Sequence, residues 1–196
     1  MRSLSKFIVH LPNRFKNTIK VGDKEIYLEN KFNEFEHRIM EAEIVAVPEK
    51  SNTGASVGDT LYFHHHVVLG DGQYLDKAND LYIVHYNEAE PLLSQSYAYK
   101  RKSDGEIILL QDWVFLKPVE QERYIKSSIL YLDHINDEHN KEGEVAFDSE
   151  ALAELGLYKG DRVYFMKNAD YEMEIDGEKY WRMNTSFLTY AKVHND

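Results

Sequence analysis

The chain of 196 residues contains no cysteine, which excludes disulfides and thiolate metal sites and suits a reducing cytoplasm. It also lacks a surplus of positive charge. With a formal net charge of −11 and no basic stripe, the composition argues against a nucleic-acid partner, which needs Lys and Arg gathered on one face. Long apolar runs are missing too. The short run at 7–9 is too small for a signal-peptide core, and nothing approaches the ~18 apolar residues of a membrane span. The expectation is a protein without membrane or nucleic-acid partners, located in the cytoplasm.

What is present is a repeat. Val57-Gly58-Asp59-Thr60-Leu61-Tyr62-Phe63 is answered by Lys159-Gly160-Asp161-Arg162-Val163-Tyr164-Phe165. Ala42-Glu43-Ile44-Val45 is answered by Gly143-Glu144-Val145-Ala146, and Phe7-Ile8-Val9-His10 by Val114-Phe115-Leu116-Lys117, in the same order. The spacing of about a hundred residues is that of a duplicated domain, since solenoid repeats run to about 20–50 residues. We therefore divide the chain into 1–103 and 104–196, joined by the polar turn 101–105. A hydrophobic fraction of 43% leaves each half little core to spare, and small domains of that kind often gain stability by assembling.

Short runs rich in Val, Ile, Tyr and Phe, separated by Gly, Asn and Asp, predict strands at 7–11, 42–47, 60–64, 81–86, 97–100, 107–116, 143–147, 162–166, 179–183 and 187–193. This is an all-β pattern of barrels or sandwiches. One short helix is predicted over 149–155, with Asp148 or Ser149 as N-cap and Gly156 as the left-handed stop, and another over 88–93 with Pro91 in its first turn.

Each half also carries a long polar stretch, 13–38 and 120–142, beyond the about 12–15 residues usual for loops in compact domains. Each stretch holds an apolar island, Ile26-Tyr27-Leu28 and Ile129-Leu130-Tyr131-Leu132, at matching places in the repeat. One reading is a strand that pairs locally and packs on the core. The other is a linear recognition element offered to a hydrophobic groove on a partner.

His64-His65-His66 would place His64 and His66 on one face of a strand, at chelating distance. No carboxylate lies close in sequence to complete a site, and the expectation is the exposed end of a hairpin strand and no metal. Asp59 and Asp161 read as turn residues between strands and not as a catalytic pair. No nucleophile, base and orienting group converge, so no enzyme and no cofactor are expected. Trp113, Trp181 and the 14 tyrosines read as core and interface packing.

With these segments in order, the chain resembles the GroES co-chaperonins. Leu110-Gln111-Asp112-Trp113-Val114-Phe115-Leu116-Lys117 looks like that family's opening Leu-His-Asp-Arg-Val-Ile-Val-Lys strand. Ser127-Ser128-Ile129-Leu130-Tyr131 stands where its mobile loop has Gly-Gly-Ile-Val-Leu, and Gly143-Glu144-Val145 where it has Gly-Glu-Val. Residues 159–165 resemble Val-Gly-Asp-x-Val-x-Phe, and Ile175 to Tyr180 through Leu188 resemble the closing strands. The first half follows the same order, with Glu25-Ile26-Tyr27-Leu28 in the mobile-loop place. The family's roof hairpin is replaced by 48–56 in one half and by the predicted helix in the other, similar to phage-encoded co-chaperonins. The tandem layout resembles the double-domain co-chaperonin of chloroplasts.

The resemblance implies two tandem GroES-like small β-barrels with long mobile loops, and a non-catalytic co-chaperonin that caps a GroEL-type chaperonin and encloses its client protein. Ile26, Tyr27, Leu28, Ile129, Leu130 and Tyr131 would bind the chaperonin. The subunits would form a homo-oligomeric ring by pairing first and last strands. The competing expectation is a structural or adaptor β-barrel protein of a viral or other assembly.

Overall fold

A computed structural model describes residues 1–14, 18–21, 24–27, 38–69, 73–119 and 140–192, with the backbone alone described at 18–21, 24–27 and 140. The chain divides into two compact units, Met1–Leu110 and Gln111–Asp196. Both are mostly antiparallel β-structure with little helix.

The first unit contains β1 (Lys6–His10), β2 (Thr18–Val21), β3 (Lys24–Tyr27), β4 (Glu41–Ala46), β5 (Thr60–Phe63), β6 (Tyr74–Asp76), β7 (Leu81–His85), β8 (Ser96–Lys100) and β9 (Ile107–Leu109). Seven of these form one sheet in the order β6-β7-β1-β4-β5-β8-β9, and β2 and β3 pair as a separate hairpin. The second unit contains β10 (Trp113–Pro118), β11 (Asn140–Val145), helix α1 (Glu150–Glu154), β12 (Arg162–Met166), β13 (Tyr171–Ile175), β14 (Glu178–Asn184) and β15 (Leu188–Lys192). Its sheet runs β13-β14-β10-β11-β12-β15.

The two orders match strand for strand, with β9 as the addition in the first sheet. Register matches as well: Val9 faces Ile44 as Leu116 faces Val145, and Glu43 faces Thr60 as Glu144 faces Arg162. Even the irregularity recurs. The β5–β8 ladder shifts between Tyr62 and Phe63, and the β12–β15 ladder between Tyr164 and Phe165. A bulge adds a residue to one strand and increases its local twist, so both sheets bend at the same place.

Alternation along the strands builds the two cores from equivalent positions. Phe7, Val9, Ile44, Leu61, Phe63 and Val84 are fully buried in the first unit, and Val114, Leu116, Val145, Val163, Phe165 and Met183 nearly so in the second. Burial of each such side chain contributes about 1.5–3 kcal/mol. Leu152, also fully buried, ties α1 onto the second core. The opposite face of β10 is covered by an aromatic group in which Phe115 meets Phe147 at 6.2 Å and Tyr180 at 6.4 Å.

Helix α1 forms where its signals lie: the Ser149 hydroxyl accepts the Leu152 N–H at 3.2 Å, and Gly156 has φ 71°. The segment predicted as helix at 88–93 is a 3₁₀ turn, Pro91–Leu93, with Pro91 in the first turn.

Several expectations need correction. The strand predicted over 107–116 is two strands, because Gln111 adopts a left-handed φ of 54° and turns the chain between β9 and β10. Strand β9 then pairs with β8, Ala98 facing Leu109, so the units divide after Leu110 and not between 103 and 104. The strand predicted over 60–64 stops at Phe63, where His64 caps a 3₁₀ turn, His65–Val67. Strands β2, β6 and β13 were not anticipated.

Candidate functional site

Two turns hold the equivalent centres of the units. In the first, Gly58 has φ 94° and donates its N–H to the Ile44 carbonyl at 2.9 Å, while Ile44 donates to the Asp59 carbonyl at 2.8 Å. In the second, Gly160 has φ 95° and donates to Val145 at 2.9 Å, and Val145 donates to Asp161 at 2.9 Å. The positive φ is one that L side chains rarely adopt. Asp59 Oδ2 accepts the Ser56 N–H and Asp161 Oδ2 accepts the Tyr158 N–H, each at 2.8 Å. The two carboxylates thus complete turns by accepting backbone hydrogen bonds, as aspartate does in such positions.

These turns tie β4 to the start of β5 and β11 to the start of β12, and β4 and β11 are the strands that follow the polar stretches. Strands β1 and β4 are paired neighbours, so the segment joining them leaves and rejoins the sheet at one place. Its base is closed by Ile39 N–H on the Arg14 carbonyl at 3.0 Å and Leu11 N–H on the Asp80 carbonyl at 2.9 Å. Arg14 also donates from Nη1 to the Val68 carbonyl at 3.4 Å. Between these anchors stands the β2–β3 hairpin, with Ile19 facing Ile26 and Thr18 facing Tyr27. In the second unit β10 and β11 are likewise paired, Pro118 facing Gly143 where the polar stretch begins and ends.

The backbone of Ile26 and Tyr27 lies in β3, in a hairpin that pairs locally. Leu28, Ile129, Leu130 and Tyr131 lie outside the described residues.

Among the described residues many aromatic side chains pack inside the units, while Tyr158 and Tyr190 are exposed. Trp113 is buried with the Arg182 guanidinium 4.6 Å over its ring, and Trp181 meets Phe165 edge-on at 5.6 Å. Burial, helped by a hydrogen bond donated to Glu178 at 2.8 Å, pushes the Tyr180 phenol up to about 12. Burial also raises Tyr82, Tyr86 and Tyr99, so these phenols stay neutral at ordinary pH. Neutral, packed phenols of this kind serve the core.

His64, His65 and His66 converge in a way the sequence did not indicate, since the expected strand gives way to a turn. The signal that a turn begins there is the end of the alternating pattern at Phe63, followed by two buried valines in a row, Val67 and Val68. Among the described residues, no helix is long and apolar enough to cross a membrane.

No protein-family model matches the chain. A co-chaperonin GroES of Coprothermobacter proteolyticus is 36% identical over 81 residues, an alignment that covers 38% of this chain and 83% of that protein. At that identity, over most of the relative's own length, the chain belongs to the GroES co-chaperonin family.

Proposed function

We propose that this protein is a co-chaperonin of two tandem GroES-like barrels that caps a GroEL-type chaperonin and assists ATP-dependent folding of an enclosed client. The observation that carries the reading is one of placement. In both units an apolar island lies in the sequence between two strands paired at equivalent register, β1 with β4 and β10 with β11. A segment whose ends are fixed together can present a short apolar tip without disturbing the sheet that holds it.

In this reading the six residues Ile26, Tyr27, Leu28, Ile129, Leu130 and Tyr131 bury themselves in grooves of the chaperonin, each contributing about 1.5–3 kcal/mol. Ordering the segments costs several kcal/mol in return, so a single island is a weak ligand. Affinity comes from many islands on one ring engaging together, and weak individual contacts let the cap leave again. No catalytic chemistry is required of the chain. Seven chains in a homo-oligomeric ring would match a sevenfold chaperonin, each presenting one or both islands.

Helix α1 lies between β11 and β12 and the segment 48–56 between β4 and β5; read as replacements for the family's roof hairpin, they support a phage-type cap with an altered roof. The place of action is the cytoplasm. A second reading, a structural or adaptor β-barrel protein of a viral or other assembly, draws on the local pairing of Ile26 and Tyr27 in β3.

Capture on an immobilised GroEL-type chaperonin separates the two. The co-chaperonin reading expects retention with ATP or ADP and release when nucleotide is removed. Equal recovery with and without nucleotide, or none at all, favours the structural protein.

A further inference from the structure

Strand β5 ends at Phe63, and the next three residues are His64, His65 and His66. Had the strand continued, neighbouring rings would have pointed to opposite faces. Instead the chain turns. His64 sits in extended backbone at φ −70° and ψ 139°, and its Nδ1 accepts the His66 N–H at 3.1 Å. The turn is held firmly by the backbone: His64 N–H donates to the Gln95 carbonyl at 2.7 Å, Val67 to His64 at 3.0 Å and Val68 to His65 at 3.1 Å. Val67 and Val68 are fully buried beneath it.

On that scaffold the three imidazoles come together. Ring centroids lie 4.2 Å apart for His64 and His65, 4.3 Å for His64 and His66, and 4.3 Å for His65 and His66. One ring nitrogen from each lies within 4.8 Å of the others. A tetrahedral ion about 2.0–2.1 Å from each imidazole would need its nitrogens roughly 3.3 Å apart. Closing that difference takes rotation of the side chains on an anchored backbone.

We propose that the His64–His65–His66 turn is a binding site for a single divalent transition-metal ion of borderline character, of the Zn²⁺, Ni²⁺ or Cu²⁺ class. Imidazole nitrogen suits these ions, whereas Mg²⁺ and Ca²⁺ take oxygen ligands, and the trio contains neither carboxylate nor thiolate. Three ligands leave a coordination position for water or for a group from another molecule.

The hydrogen bond within the turn supplies a reporter. A neutral imidazole that accepts at Nδ1 carries its proton on Nε2. To coordinate, His64 either gives Nδ1 to the metal or moves its proton to Nδ1 and binds through Nε2. In both cases the His66 N–H loses its acceptor. The site stands apart from the co-chaperonin reading, and its test does not involve a chaperonin.

The full chain should be titrated with Zn²⁺, with calorimetry for stoichiometry and amide NMR for the site. The expected result is one ion per chain at micromolar concentration, a shift of the His66 amide that saturates at the same ratio, and no such shift with Mg²⁺. His64→Gln with His66→Gln should weaken binding more than tenfold with the circular dichroism of the sheets unchanged, while His10→Gln, on β1, leaves it intact. Uptake only at millimolar Zn²⁺, an unmoved His66 amide, or unaltered affinity in the folded double variant would overturn the proposal.

Discussion

The Asp59 carboxylate accepts the backbone N–H of Lys102 through Oδ1 at 2.9 Å, a contact between residues 43 positions apart. Its Oδ2 already accepts Ser56, so one side chain 4% exposed satisfies two backbone donors and joins the Gly–Asp turn to the end of β8. Asp161, in the equivalent turn, accepts from Tyr158 and lies partly exposed. Each such hydrogen bond, from a partly buried donor to a buried acceptor, contributes about 0.5–1.5 kcal/mol, so the two together contribute about 1–3 kcal/mol. Asp59→Ala should therefore destabilise its unit by about that amount and more than Asp161→Ala does. Amide exchange at Ser56 and Lys102 reads the first variant. Both tryptophans belong to the second unit, so tryptophan fluorescence in urea reads the second. Equal losses would mean that the Lys102 contact carries no weight.

Gly143 has no room for a side chain. A Cβ there would lie 2.9 Å from Leu116 Cβ, which the β10 backbone holds in place, and 3.0 Å from Leu116 Cδ1, the end of a fully buried side chain. Gly143→Ala should lower stability by about 1–3 kcal/mol, the usual cost of overpacking. The tryptophan unfolding midpoint in urea should fall accordingly. The equivalent position in the first unit is Ala42, buried at 7% exposure, so the two cores differ there by one methyl group. An unchanged midpoint would show that β10 and β11 can separate at no cost.

The islands are tested by removing their apolar character, Ile26 lying in the separate β2–β3 hairpin and not in the seven-stranded sheet. Ile26→Ser with Leu28→Ser, or Ile129→Ser with Leu130→Ser, should each reduce capture by the chaperonin at least tenfold, and the combination should abolish it. Circular dichroism should stay that of the parent. Retention of all three variants at parental levels would place the binding surface elsewhere.

His85 pairs across the ladder with Lys6. Partial desolvation of its ring, although the residue as a whole is exposed, and then the Lys6 charge hold its imidazole below the ordinary value of 6.5. A histidine depressed on folding contributes stability that is present above 6.5, where both states are neutral, and is lost as pH falls from 6.5 through the folded value. The parent should therefore lose stability over that window relative to His85→Gln. Amide exchange in β7 and β1 at pH 7 and then below 6.5 gives the comparison. Identical pH profiles for the two proteins would refute it.

Legibility followed locality. The Ser149 cap and the Gly156 stop lie within one helical turn of α1, and the Gly58–Asp59 and Gly160–Asp161 turns need only their own backbone conformation. All were readable from neighbours in sequence. Strand β13 was readable too, since Tyr171 to Ile175 alternates and leads into Asp176–Gly177, a dipeptide with positive φ at both residues of the kind that joins hairpin strands. It was missed because two of its five residues are glutamates. Strand β6 is only three residues long and exists through its pairing with β7.

The order of segments, the repeated turns and the alternation of buried residues were determined by the sequence itself, because each depends on contacts between residues close in the chain. Tertiary structure decided the rest: that Leu109 belongs with Ala98 in the first sheet, that Asp59 reaches Lys102, and that three histidines leave the strand and share one turn. Those outcomes depend on which distant backbone groups remain to be hydrogen-bonded once the core has closed, and only the folded chain brings such groups within reach.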